Sequence, residues 1–444
     1  MREPRDYSLL QAAEQIRRGR LTAEALMLSC LERIEARQQE VRAWAFLDAG
    51  QALEQARMLD QEAASRHWRG PLHGIPIGIK DIIDVKGMET RGGTEAWPGG
   101  VAKRDALCVA RLRESGAIIL GKLATTPFAF RDPAETRNPW NTAYSPGGSS
   151  AGSGAAVADR MCLAALGTQT GGSVLRPASF NGIVGFKPTH GSISTEGVIP
   201  LCPNLDHVGV LTRTVLDAAT LWSVMRVDAQ QEWKASREKM TVELSPRMPD
   251  RLWRVRGFFE DEADPACLEQ VEKVCAKLSA SGVRIVEKSL PGSFGGLTEL
   301  YQMLVSAEAA AAHEPWFDDR KHLYPEHIRA TIEGGREIRA AEYLRGLAQR
   351  EQMRREIREA LSDVDGAIMP TTVTPPPDPS STGSARFNLP WSICGIPALS
   401  LPAGLDRNGL PLGVQLVSGK GKERSLLQLG GWVESRIGFA AQPD

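Results

Sequence analysis

The sequence predicts an α/β protein, with buried strands forming a sheet, helices packed on it and a helical arm leading into it. Three observations predict this. Helix-then-strand steps, each with a glycine where the periodicity changes, occur at "DALCVARLRESGAIILGK" (105–122) and "VEKVCAKLSASGVRIVEKSL" (271–290). Residues 8–66 carry apolar side chains at the three- to four-residue spacing of amphipathic helices. Glycines crowd positions 138–200, where the backbone must adopt positive φ or approach something closely. At 444 residues the chain exceeds an average domain, but one large α/β domain reaches this size and buries its core without metals or disulfides.

Within the arm, 1–66, Ser8-Leu9-Leu10-Gln11 fits a capping box and Gly19 a stop. Thr22 fits the next N-cap, with Glu24 in the first turn and apolar residues recurring through Ile34. Ala49–Ala64 is a further amphipathic helix. At Gly70 the texture changes: "GPLHGIPIGIKDIIDVKG" (70–87) reads as short strands and a tight loop. Gly116 stops a helix before the strand "AIIL", and "AAVADRMCLAAL" (155–166) reads as a buried helix. A helix follows from Asp217 to about Gln231, then polar loop from 232 to 250. Residues 297–361 are helical and highly charged. "DVDGAIMPTTVTPPPDPSSTG" (363–383) is a strand end running into a Pro/Ser loop at 370–383, long enough to be functional. "GIPALSLPAGLDRNGLPLGVQLV" (395–417) gives two strands joined at Asn408-Gly409, and "KERSLLQLGGWVESRI" (422–437) a closing helix.

Composition narrows the function classes. Net charge is −1, with 24% charged residues, so nothing favours a nucleic-acid partner. The seven cysteines are scattered, odd in number and without a CxxC, which suggests neither a disulfide framework nor a zinc ribbon. No apolar run approaches the ~18 residues of a membrane span, and the first ten residues lack a signal-type apolar core. The expectation is a reduced, cytoplasmic protein with no membrane partner.

Three familiar motifs nearly fit. Gly116 to Lys122 matches GxxxxGK, but Leu123 stands where a Mg²⁺-binding hydroxyl is needed. Gly148-Ser149-Ser150-Ala151-Gly152 matches GxSxG with Ser150 central, yet loop precedes it and no histidine follows His327. His73, His190 and His207 stand singly, without ligand spacing for a metal.

What stands out is a pair of Gly-Gly-Ser runs ending at Ser149 and Ser173 with no histidine between them. A serine nucleophile needs a base, and a lysine can serve when burial keeps its amine neutral. Lys80, ending the apolar run "HGIPIGIK", is the candidate. Asp81 beside it reads as a structural acceptor.

In combination, "GIPIGIKDIIDVKG" (74–87), "SPGGSSAGSGAAVA" (145–158) and "GTQTGGSVLRPASFNGIVGFKPTHG" (167–191) resemble the amidase signature family. "LDHVGVLTRTVLDA" (205–218) and the 395–417 segment add to the likeness, which runs from about residue 6 to 436. The resemblance implies a single large α/β/α domain on a twisted, mixed central sheet. It divides into the arm (1–66), a catalytic core (70–218), a variable helical region (232–361) and a C-terminal return to the sheet (365–440). It implies hydrolysis of an amide C–N bond without metal or cofactor: Ser173 as nucleophile, Ser149 as bridging serine after a cis peptide at Gly148–Ser149, and Lys80 as base. Backbone N–H groups of Thr170, Gly171, Gly172 and Ser173 would form the oxyanion hole, each such donor being worth roughly 3–4 kcal/mol in the transition state. Where most members have Asp and Arg around the second serine, this chain has Gln169 and Leu175, with Arg at 176. That pattern resembles the branch that includes bacterial malonamidases, in which the equivalents of Arg176 and Thr168 hold a substrate carboxylate; the alternative for Arg176 is that it braces the loop or pairs with an internal acid. The partner expected is therefore a small amide. A homodimer is left open, and the rival is the amidase subunit of a tRNA-dependent amidotransferase. Phe128, Trp391 and the 370–383 loop are candidates for pocket lining and lid, and the stretch 232–340 for substrate choice.

Overall fold

Eleven strands form one mixed sheet among the described residues, 2–227 and 244–443 of this computed structural model. They are β1 (Trp44–Leu47), β2 (Pro76–Lys80), β3 (Ile118–Leu123), β4 (Ala164–Gln169), β5 (Val184–Lys187), β6 (His207–Thr212), β7 (Arg251–Arg256), β8 (Arg284–Ser289), β9 (Gly366–Pro370), β10 (Ala398–Leu405) and β11 (Pro411–Val417). Their order is β1-β3-β2-β4-β6-β5-β10-β11-β9-β7-β8. β2 runs parallel to β3 and β4, and β7 runs parallel to β8 and β9; the remaining pairs are antiparallel.

The strands near the site are apolar because both their faces are covered. Every residue of β2, β3, β4 and β6 is buried, and so is every residue of the helices Ala151–Ala158 and Leu175–Phe180. Burying one of the β2 isoleucines contributes about 1.5–3 kcal/mol. This apolar framework is what allows a lysine amine at the end of β2 to be cut off from water.

The arm follows its local signals. Ser8 and Gln11 exchange both bonds of a capping box at the helix Leu9–Arg17. Thr22 caps Ala23–Val41, and Asp48 caps Ala49–Ala64. The arm is not all helix, however: β1 lies between its second and third helices and pairs with β3. Gly116, at φ 91°, makes the turn between the helix Leu107–Glu114 and β3.

Two further expectations need correction. The run at 155–166 is not one helix. It is helical only to Ala158, where buried Asp159 pairs with Arg33 at 2.7 Å and Arg160 takes φ 60°. The chain therefore reverses, and Met161–Leu163 lead into β4. The helix expected at 217–231 is Val215–Met225, capped by Thr214. Positions 228–243, including the end of that expectation and most of the 232–250 loop, lie outside the described residues, while 244–250 is irregular. The charged region contains the helices Leu297–Arg320, Glu326–Arg336 and Ala340–Ala360. β10 and β11 form the expected hairpin, with Gly409 at φ 76° in its turn. No helix among the described residues is long and apolar enough to cross a membrane.

Candidate active site

The site forms at the C-terminal end of β2 and β4, where open α/β sheets usually bind ligands. Parallel register sets Ile79 opposite Leu166, which carries Lys80 and Thr168 to the same end of the sheet. There the Lys80 amine, fully buried, reaches Ser149 Oγ at 2.7 Å and Thr168 Oγ1 at 2.8 Å. Burial pulls the Lys80 pKa well below the ordinary lysine value, opposed by the charge of Asp206 and reinforced by that of Arg176.

Two other lysines are equally buried, and their surroundings show why Lys80 differs. Lys122 is ion-paired with Asp81 at 2.8 Å, the structural role read for that acid. Lys187, drawn down to about 7 by burial, donates to the carbonyls of Pro188 and Ile396 at 3.0 and 2.7 Å. Of the three, Lys80 alone among the described residues reaches a serine of the glycine runs.

Ser149 is held on both sides. The Gly148–Ser149 peptide is cis. Arg176 donates to the Gly148 carbonyl at 2.6 Å, and Thr125 Oγ1 donates to the Ser149 carbonyl at 3.2 Å. The neighbouring Ser150 is occupied otherwise: its Oγ accepts from the Thr168 N–H and donates to the Thr168 carbonyl, both at 3.2 Å. That bond fastens the helix Ala151–Ala158 to β4 and gives the GxSxG match a structural use.

Thr170, Gly171, Gly172 and Ser173 line a cavity of about 630 Å³, within the ~300–1,000 Å³ usual for ligand pockets. Their loop is organised by a residue that motif reasoning misses. Gln169 Oε1 accepts from the N–H groups of Val174 and Leu175 at 2.9 and 3.0 Å, capping the short helix that starts at Leu175. Its Nε2 donates to the Gly171 carbonyl at 3.1 Å and to Ser392 Oγ at 3.0 Å. An amide thus supplies both donor and acceptor where a carboxylate could only accept. Asp206 is a second missed residue. It accepts from Thr170 Oγ1 at 2.6 Å and from the N–H groups of Leu201 and Cys202 at 2.9 Å each. Burial raises its pKa.

Arg176 also lines the cavity. It is 5% exposed and donates to the carbonyls of Gly383 and Gly148, with its Nε left without a partner among the described residues. Burial lowers its pKa to about 10. No carboxylate among the described residues pairs with it. Thr168 sits differently: its hydroxyl lies 2.8 Å from the Lys80 amine, and it is not among the residues that line the cavity. The buried amine of Lys80 needs a second polar partner, and Thr168 supplies it.

Thr382 and Gly383 of the long loop line the cavity, with Tyr301 and Gln302 from the variable region. Phe128 and Trp391 do not. Phe128 stacks on Tyr324 and Trp391 on Phe259, both in the core. The single histidines bond main-chain carbonyls: His73 to Leu59, His190 to Pro203, His207 to Leu205. No cluster of three or more His, Cys, Asp or Glu among the described residues is placed to hold a metal ion.

Comparison with known proteins identifies the family. The Amidase family model matches residues 25–427. The chain belongs to the amidase family. It is 33% identical to a putative amidase, AmiD, of Mycobacterium bovis (strain ATCC BAA-935 / AF2122/97), the match covering 97% of this chain and 94% of that one. It is 32% identical to a glutamyl-tRNA(Gln) amidotransferase subunit of Myxococcus xanthus (strain DK1622), over 96% of each. A crystal structure of an amidase superposes with a TM-score of 0.88 at 34% identity, covering 97% of this chain and all of the other. As an amidase-family enzyme the protein hydrolyses amide bonds.

Proposed function

We propose that the protein is a self-contained amidohydrolase that works through an acyl-enzyme. Ser173 Oγ attacks the amide carbonyl while its proton passes to Ser149, and Ser149 passes one to the neutral amine of Lys80. The proton returns through Ser149 to the leaving nitrogen as the C–N bond breaks. Water then attacks the ester on Ser173 and releases the acid. Backbone N–H groups of Thr170, Gly171, Gly172 and Ser173 stabilise the oxyanion. The observation that carries the reading is the buried contact of 2.7 Å between Lys80 Nζ and Ser149 Oγ, beside a cavity lined by Ser173.

The substrate in this reading is a small amide bearing a carboxylate. Support comes from Arg176, a buried guanidinium at the cavity wall with no acid paired to it among the described residues. A substrate carboxylate would supply the missing countercharge through charge-assisted bonds.

The Myxococcus relative favours a second reading, in which the chain works only inside an amidotransferase complex. Size-exclusion chromatography with an activity assay separates the two: the purified chain turning over amides alone, as monomer or homodimer, supports the first. Ammonia release from paired acid and neutral primary amides is the main test. Ser173→Ala should lower kcat on the order of 10⁴-fold or more with folding intact. Lys80→Ala should behave similarly and recover in part with added amine; undiminished turnover in either variant overturns the assignment.

A further inference from the structure

The cavity is lined by three arginines against one acid, in a chain whose net charge is −1. The acid, Glu262, is already matched: Arg386 Nε lies 3.0 Å from its Oε2. Two positive charges are therefore left over. Arg176 sits at the base, buried, three residues after Ser173. Arg131 is exposed at the mouth, its guanidinium over the Phe130 ring at 5.2 Å. It makes no ion pair among the described residues, because the adjacent Asp132 is turned to His327 at 2.9 Å. The rest of the wall is uncharged, mixing Thr298, Gln302, Ser306 and Thr331 with apolar Phe130, Leu201, Val305 and Leu389. At about 630 Å³ the cavity also has room for far more than an acid amide of a few carbons.

Building on the amidohydrolase reading, we infer that the substrate is an amide with an acid group on each side of the scissile bond, the acid of the acyl half held at Arg176 and that of the amine half at Arg131. Chemistry sets the orientation. The amine leaves first, while the acyl group stays bonded to Ser173 at the base, so the amine half occupies the mouth. The C–N bond breaks, the acyl carbon bonds to Ser173 Oγ, and the amine departs carrying the relayed proton and its own carboxylate. A guanidinium fork suits each carboxylate, and Arg131, being exposed, should act in a salt-sensitive way.

The test uses four matched amides: N-succinylglycine (acids on both sides), N-ethylsuccinamic acid (acyl side), N-butyrylglycine (amine side) and N-ethylbutyramide (neither). Calorimetry on the full-length Ser173→Ala protein reads affinity, and release of glycine or ethylamine by the unsubstituted enzyme reads turnover. N-succinylglycine should bind at least 10-fold tighter than N-ethylsuccinamic acid. In Arg131→Gln that ratio should fall to near one, with Arg131→Lys retaining part of it, and raised salt should shrink it. For hydrolysis by the otherwise intact enzyme, Arg131→Gln should raise KM for N-succinylglycine while kcat changes little. Equal affinities for those two amides, or an unchanged ratio in Arg131→Gln, overturn the inference even when both are hydrolysed. Failure of the enzyme to hydrolyse any of the four overturns the amidohydrolase reading instead, and this inference with it.

Discussion

Replacing Gln169 by leucine tests whether the Thr170–Ser173 loop is held by one buried amide. Leucine keeps the approximate size but removes four hydrogen bonds: two accepted from the Val174 and Leu175 N–H groups, and two donated to the Gly171 carbonyl and Ser392 Oγ. The Gly171 carbonyl keeps its 2.6 Å bond from Ser392, so its loss is small. The two N–H groups have no such reserve. Each buried, unsatisfied donor costs about 1–3 kcal/mol, so the substitution should destabilise the fold by roughly 2–6 kcal/mol. That is a large part of the 5–15 kcal/mol typical of a folded domain. Urea unfolding followed by fluorescence should show the unfolding free energy fall by that amount. Because the same bonds orient Thr170–Ser173, kcat under native conditions should fall at least 10-fold while KM moves less. A destabilisation below about 1 kcal/mol together with unchanged kcat would refute the reasoning.

Two more predictions rest on single contacts. Asp206 favours the charged form of Lys80, partly opposing burial. Asp206→Asn therefore lowers the Lys80 pKa further, keeps the amine neutral to lower pH, and moves the acid limb of the kcat/KM profile down; an upward shift contradicts this. A Cβ on residue 172 would lie 2.4 Å from Asn388 Oδ1. Asn388 cannot yield easily, since its Nδ2 donates to the Thr371 carbonyl and to Gln415 Oε1 at 3.0 and 2.9 Å. Gly172→Ala should thus lower both thermal stability and kcat, whereas Gly19→Ala, at an open site in the arm, should leave kcat unaltered.

Much of the candidate site is legible in the sequence because its residues are marked locally. Lys80 ends an apolar strand, and both serines follow glycines that let the backbone approach closely. The caps at Ser8, Thr22 and Asp48 are likewise local signals. The features that are not legible depend on long-range placement. The bond between Thr168 and Lys80 shows only once strand register brings the two together. Gln169 shows as a departure from the family pattern, but its work as a cap appears only when the chain folds back on it. β1 hides within the arm because only Trp44 of its four residues is buried, leaving no alternating pattern. Trp391 and Phe128 suggest a pocket by residue type alone, and packing puts them in the core. The cavity wall from the variable region carries no motif, since Glu262, Tyr301 and Thr331 come together only in three dimensions.

The most direct test of the account is intact-mass and peptide-mapping spectrometry of the enzyme quenched during turnover of an activated ester. The account predicts one acyl group, located on Ser173, forming rapidly in the unsubstituted chain and on the order of 10⁴-fold more slowly in Lys80→Ala. An acyl group found on Ser149, or acylation of Ser173 at an undiminished rate without the Lys80 amine, would contradict it.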